Sequence, residues 1–282
     1  MKSIDKHVLS DYDNGVERNR LRTDLGLIEF ERTKELLLEY LPKPPAVIYD
    51  IGGAYGEYSW WLANLGYDVH LFDLSAKHIE MSAELSKEYP NTSLCAAEVR
   101  DARNINRPDN SADAILLMGP LYHIVDKEER IACLNESKRL LKPNGVLFTA
   151  AITQYATLLW ATTVFGTDNY LLNDEDFMKM VERELSDGEH IKKEGGAYTG
   201  IGRSHFYSAK ELRSELEQAG FSNNEIHGVV GGAWLAPNID ELWKNEKSRA
   251  SLMRAVRLLD MREDILGLST HLLGISQKNN HI

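Results

Sequence analysis

Short, continuous apolar runs alternate with amphipathic stretches along the chain. Val47, Ile48 and Ile51 form one run; Val69 to Phe72 and Ala114 to Met118 form two more. Runs this short predict strands, and the unbroken run at 114–118 predicts a central parallel strand buried on both faces. Around them the apolar positions recur at helical spacing. Leu27, Phe30, Leu37, Leu38 and Leu41 make a stripe that predicts a helix over 27–41, ended by Pro42, Pro44 and Pro45. A second helix is predicted from about Gly56 to Leu65, stopped by Gly66 in a left-handed conformation. A third starts at a Ser75 cap and ends near Tyr89, before Pro90-Asn91. Thr92 to Val99 reads as the next strand. Asp126 with Glu129, and Ser208 with Glu211, imitate capping boxes for helices reaching Leu141 and Ala219. Phe221 to Val230 and His271 to Gln277 read as the sixth and seventh strands, the last one antiparallel.

Strands alternating with helices imply an α/β fold with helices on both faces of a mostly parallel sheet. Residues 1–45 read as an N-terminal helical extension, 46–152 as the core and 153–207 as a cap insertion. Residues 208–282 complete the core and carry a helical insertion over 239–266. The cap insertion is rich in Thr, aromatic and acidic residues. A helix is predicted there over 175–185, followed by a loop with Gly195, Gly196, Gly200 and Gly202. Residues 1–24 are polar, either disordered or folded over a site as a lid.

Composition narrows the function classes. With 282 residues, 43% of them hydrophobic, the chain can build one large core. A net charge of −11 disfavours nucleic acid and anionic membrane surfaces as partners. Cys95 and Cys133 lack the spacing of a zinc site and are expected to be buried free thiols; no metal is expected. The first residues have no apolar stretch resembling a secretory signal, and no run approaches a membrane span. A soluble cytoplasmic protein is expected.

The stretch from Ala46 to Ser75 carries the chemistry. It is a strand, a turn holding Gly52, Gly53 and Gly56, a helix, and a strand ending at Asp73. Glycines let a backbone turn tightly and approach a ligand. The helix start presents N–H groups to polar ligand atoms. An acid at the second strand's tip can accept hydrogen bonds from both hydroxyls of a ribose. Asp50 either orders the loop or helps hold a ligand amino group through the backbone it positions.

The segments Asp50-Ile51-Gly52-Gly53-Ala54-Tyr55-Gly56 and Leu71-Phe72-Asp73-Leu74-Ser75 resemble the first two motifs of class I S-adenosylmethionine-dependent methyltransferases. That family usually shows D-x-G-x-G-x-G; here Ala54 stands where the second glycine falls. The run from Asn110 to His123 is similar to the family's fourth strand, and Leu140 to Leu147, with its LKPNG turn, to its passage into the fifth. The resemblance implies a Rossmann-like, seven-stranded fold and S-adenosylmethionine as cofactor, with a small molecule as methyl acceptor. It assigns Asp50, Gly52, Gly53, Gly56, Asp73 and Leu74 to the cofactor. Asp101-Ala102 takes the place of the pair that contacts the adenine amino group, with Glu98 a nearby competitor. Met118 and Gly119 border the crevice.

Methyl transfer from a sulfonium is an in-line displacement, so the protein mainly supplies alignment. A hydroxyl or protonated amine acceptor must also lose a proton. His123 is the first candidate base, because imidazole titrates near neutral pH; it could equally pack or bond locally. Tyr122 is positioned to wall the pocket or contact the methionine part. His205, Tyr207 and Trp234 are further substrate candidates, Trp234 being as readily a core residue. Tyr12 and Arg20 are candidates to close over the cofactor carboxylate. Two other classes fit the pattern. One is an NAD(P)-dependent oxidoreductase, although the G-x-G-x-x-G fingerprint is lacking. The other is a non-catalytic cofactor-binding protein of the same fold.

Overall fold

The computed structural model describes residues 20–279. Five strands run parallel: β1 (Val47–Ile51), β2 (Asp68–Asp73), β3 (Ala96–Val99), β4 (Ala112–Leu117) and β5 (Leu141–Ile152). A hairpin of β6 (Glu189–Ile191) and β7 (Arg203–His205) stands apart from them. β8 (Phe221–Gly228) and β9 (His271–Lys278) complete the main sheet, whose order is β3-β2-β1-β4-β5-β9-β8. β9 is antiparallel to both of its neighbours. The order reverses direction at β1, between β2 and β4. In open α/β sheets ligands bind at the carboxyl ends of the strands beside such a switch point.

Each face of the sheet carries its own apolar layer. Ile48, Val69, Leu116 and Phe148 point to one side. There they meet Ile28, Leu36 and Leu37 of α1 (Asp24–Tyr40) and Leu62 of α2 (Glu57–Asn64). Tyr49, Ile51, Ile115 and Leu147 point to the other. There they meet Cys133 and Leu134 of α5 (Lys127–Leu140) and Leu212 and Leu216 of α8 (Ala209–Gln218). Successive strand residues alternate between layers, so a continuous apolar run is what a doubly covered strand requires. Each fully buried Leu or Ile contributes about 1.5–3 kcal/mol.

Between these elements lie α3 (Ala76–Leu85) and the short α4 (Pro120–His123). The segment between β5 and β8 adds α6 (Ala156–Val164) and α7 (Glu175–Asp187). The caps act as the spacing predicts: Ser75, Asp126 and Ser208 accept from the N–H groups of His78, Glu129 and Glu211. Four details differ. The third strand starts at Ala96, not Thr92, and lies on the sheet edge with one side exposed. Cys95 precedes it and is exposed, so only Cys133 is a buried thiol. The glycine-rich loop of the insertion is flanked by the β6–β7 hairpin. The helical insertion over 239–266 breaks at Asn245, which caps α10 (Glu246–Leu259) after α9 (Ile239–Lys244).

Candidate active site

The carboxyl ends of β1, β2 and β4 meet at the glycine turn. The Gly52 N–H donates to the Phe72 carbonyl at 2.7 Å, stitching the turn to the tip of β2. Gly52 has φ +74° and Gly56 φ +88°, conformations that disfavour a side chain. Space is equally short. A Cβ on Gly52 would lie 2.5 Å from the Pro120 ring, and one on Gly53 2.4 Å from the Asp50 carboxylate. Gly52 therefore serves packing against the β4 loop, and Gly53 packing on Asp50, before any ligand is considered. Ala54 also has positive φ, +51°, so the place of the family's second glycine keeps the left-handed backbone. That conformation costs an L-residue about 1–2 kcal/mol.

Two carboxylates sit beneath this turn. Asp50 is 1% exposed and accepts from the Ser59 hydroxyl at 2.7 Å. Burial pushes its pKa up to about 7; the Ser59 bond opposes the rise and the Asp73 charge adds to it. Its contacts are those of a loop-ordering residue. Asp73 accepts from the Ala54 N–H at 2.9 Å on one oxygen and from the Ser75 N–H at 2.9 Å on the other. His78 Nδ1 lies 3.1 Å from that second oxygen. An ionised carboxylate offers about four lone-pair sites, so acceptor capacity remains for a ligand hydroxyl.

Further along the crevice, Asp101 is chelated by the Arg103 guanidinium. Burial would raise its pKa, but the Arg103 bonds and charge outweigh it and hold the carboxyl low. Glu98, the competing acid, pairs with Arg100 and Arg107. Leu74 and Ala102 are half-buried beside their acids. The half-buried Met118 follows β4, its carbonyl accepting from the Tyr122 hydroxyl at 3.3 Å. Gly119 presses on the Gly52 carbonyl, 2.8 Å from where its own Cβ would be.

A sequence profile described as a methyltransferase domain matches residues 48–145, the segment that builds this crevice. Residues 48–145 form a methyltransferase domain of the S-adenosylmethionine-dependent type. A Mus musculus protein named "Probable tRNA methyltransferase 9B" is 28% identical over 142 residues, which are 50% of this chain and 28% of that protein. The chain thus matches less than a third of that relative's length. The ubiquinone/menaquinone biosynthesis C-methyltransferase UbiE of Cellvibrio japonicus is 24% identical over 190 residues, 66% of this chain and 70% of that protein. Among solved structures, a Methanosarcina mazei S-adenosylmethionine-dependent methyltransferase superposes with TM-score 0.57 at 20% identity. It covers 87% of this chain and 98% of its own. The residues present fit the family's cofactor: Asp73 keeps acceptor capacity at the tip of β2, beside a turn whose Gly52 and Gly53 carry no side chain.

After β4, Tyr122 and His123 lie on α4, their rings 4.4 Å apart. Burial pushes the His123 pKa down to about 3, against the favourable charge of Asp73 and with the opposing charge of Arg20. The imidazole is neutral at pH 7, as a base must be, but its conjugate acid is disfavoured. Strand β7, which carries His205, packs on α4. His205 is buried and engages Glu211 at 2.8 Å. Tyr207 is fully buried and donates to Glu215, which pairs with the buried Arg130. Trp234 is a core residue whose indole N–H donates to the Leu268 carbonyl at 2.9 Å. Tyr12 lies outside the described residues. Arg20 pairs with Glu29, and Arg22 grips Glu57 in the first turn of α2, just after the glycine turn. Ser59 and His78 complete the site and escape a reading by motif. Each lies in the first turn of the helix that follows a candidate acid.

Proposed function

We propose that this chain transfers a methyl group from S-adenosylmethionine to a small-molecule acceptor. The observation that carries the reading is the Asp73 carboxylate. It is held between the Ala54 and Ser75 N–H groups at the tip of β2, inside the segment that matches the methyltransferase domain. When bound, the cofactor supplies an already activated methyl group. The chain's residues then have to bind, align and exclude water. Asp73 anchors the ribose hydroxyls and Asp101 receives the adenine amino group. Gly52, Gly53 and Gly56 keep the backbone close, with Asp50 ordering their turn, while Leu74, Met118 and Gly119 line the crevice. Tyr122 and His123 form the wall facing the acceptor. The depressed basicity of His123 favours acceptors that arrive already deprotonated.

The net charge of −11 supports a small acceptor over RNA. A tRNA acceptor is the second reading, favoured by the name of the mouse relative. Calorimetric titration with S-adenosylhomocysteine beside NAD tests the cofactor. Selective binding of the former is expected; selective binding of NAD would overturn the reading in favour of an oxidoreductase. Methyl incorporation into bulk tRNA, and not into small-molecule extracts, would replace the small acceptor with RNA.

A further inference from the structure

The insertion between β5 and β8 holds a cavity of about 690 Å³ built from three separate stretches of chain. Its aromatic walls are Trp160 on α6, Tyr170 before α7, and Tyr198 on the glycine-rich loop. Trp160 and Tyr198 meet edge to face at 6.4 Å, and Tyr198 is backed by Phe177 at 5.8 Å. Trp160 is 38% exposed and Tyr170 58%, while Thr157 and Ala161 on α6 face inward. Trp160 and Tyr170 thus keep surface open to solvent at the cavity, while Tyr198 forms its inner wall, packed against Trp160, Phe177 and His190.

The same cavity is lined by two acids, Asp168 and Asp174, and by no lysine or arginine. Asp174 caps α7, one oxygen accepting from the Phe177 N–H at 2.8 Å. Asp168 is set at the cavity by a tight loop, closed by the Gly166 N–H to the Asn169 carbonyl at 3.0 Å. Among the described residues neither acid joins an ion pair; Lys193, which feels the Asp174 charge, is taken by Asp176. Carboxylates and aromatic faces share one electrostatic preference, for a cation with apolar substituents. The two acids disfavour an anion here, and a cation gains from them what a neutral ligand does not.

We propose that this cavity is a binding site for an organic cation of the alkylated-ammonium class, its head set among Trp160, Tyr170 and Tyr198 and its charge balanced by Asp168 and Asp174. The volume lies within the range of small-molecule sites. The site rests on the insertion alone and not on the cofactor reading.

Choline and its neutral carbon isostere, 3,3-dimethylbutan-1-ol, form the test pair, titrated calorimetrically into the full chain. Choline is expected to saturate the site and the isostere to bind at least about tenfold more weakly. Asp168→Asn should weaken choline several-fold and leave the isostere unchanged. Trp160→Ala should remove saturable binding of both. S-adenosylhomocysteine titrated into the same variants reports separately on the cofactor crevice and on folding. Tyr170→Leu supplies a second aromatic variant should Trp160→Ala unfold. No saturation by choline in the millimolar range, equal affinity for the isostere, or indifference of choline to the substitutions in a folded protein would each overturn the proposal.

Discussion

Asp50 offers the sharpest test of how the glycine turn is held. Its carboxyl is buried, with one hydroxyl donor and Gly53 pressed against it. The pKa rises from 3.8 to about 7, first through burial. The folded state thus holds a proton that the unfolded state releases between those values. Stability from this group is full below the unfolded value and is lost as pH climbs through about 7. At about 1.4 kcal/mol per pH unit, the loss comes to about 4 kcal/mol. Asp50→Asn keeps the shape and an acceptor for Ser59 but removes the titration. Carboxylates with depressed pKa, such as Glu35 and Asp260, act with the opposite sign, losing stability as pH falls. They are common to both proteins and cancel in a difference. Urea unfolding of both at pH values from 4.5 to 8.5 should therefore show the variant gaining on the wild type with rising pH, then levelling off above about 7.5. A pH-independent offset, from the added amide donor, is expected on top. Parallel curves across the whole range would refute the assignment of a neutral, buried Asp50.

Three further outcomes are expected. Asp73→Ala should abolish measurable S-adenosylhomocysteine binding and lower stability by about 1–3 kcal/mol, since the Ala54 and Ser75 N–H groups lose their acceptor; unchanged affinity in a folded variant would remove Asp73 from the cofactor site. Glu215→Ala should cost about 3–5 kcal/mol by taking from the buried Arg130 its bidentate partner and leaving, as an ion pair, only the longer contact to Glu211, and denaturant unfolding of the double variant Arg130→Met/Glu215→Leu should recover much of it. Gly53→Ala should destabilise by about 1–3 kcal/mol, because its methyl group would fall 2.4 Å from the Asp50 carboxylate. A thermal melt superimposable on the wild type would show that the loop yields freely.

The central elements were legible because their signals are local. Val47 to Ile51, Val69 to Asp73 and Ala114 to Leu117 declare buried strands by short, mainly apolar runs, and Ser75, Asp126 and Ser208 declare helix starts by capping chemistry that acts within three residues. The glycine turn and the terminal Asp73 were readable for the same reason, being a short motif at a fixed spacing. The edge strand was overextended, because pairing with His70 onward, and not propensity, decides where it starts. Cys95 lies just outside that pairing and is therefore exposed.

What depended on distance along the chain had no such signal. That the Gly52 position is closed by Pro120 follows from two loops meeting, 68 positions apart in the chain. The neutral state of His123 comes from the elements that desolvate it. The burial of Tyr207 and Trp234 comes from packing partners at Glu215 and Leu268. The aromatic and acidic cavity joins residues 160, 168, 174 and 198, which no period links. Local pattern selects a strand, a helix or a cap. Only the tertiary fold decides which of those side chains lose water, and with it their charge and their availability to a ligand.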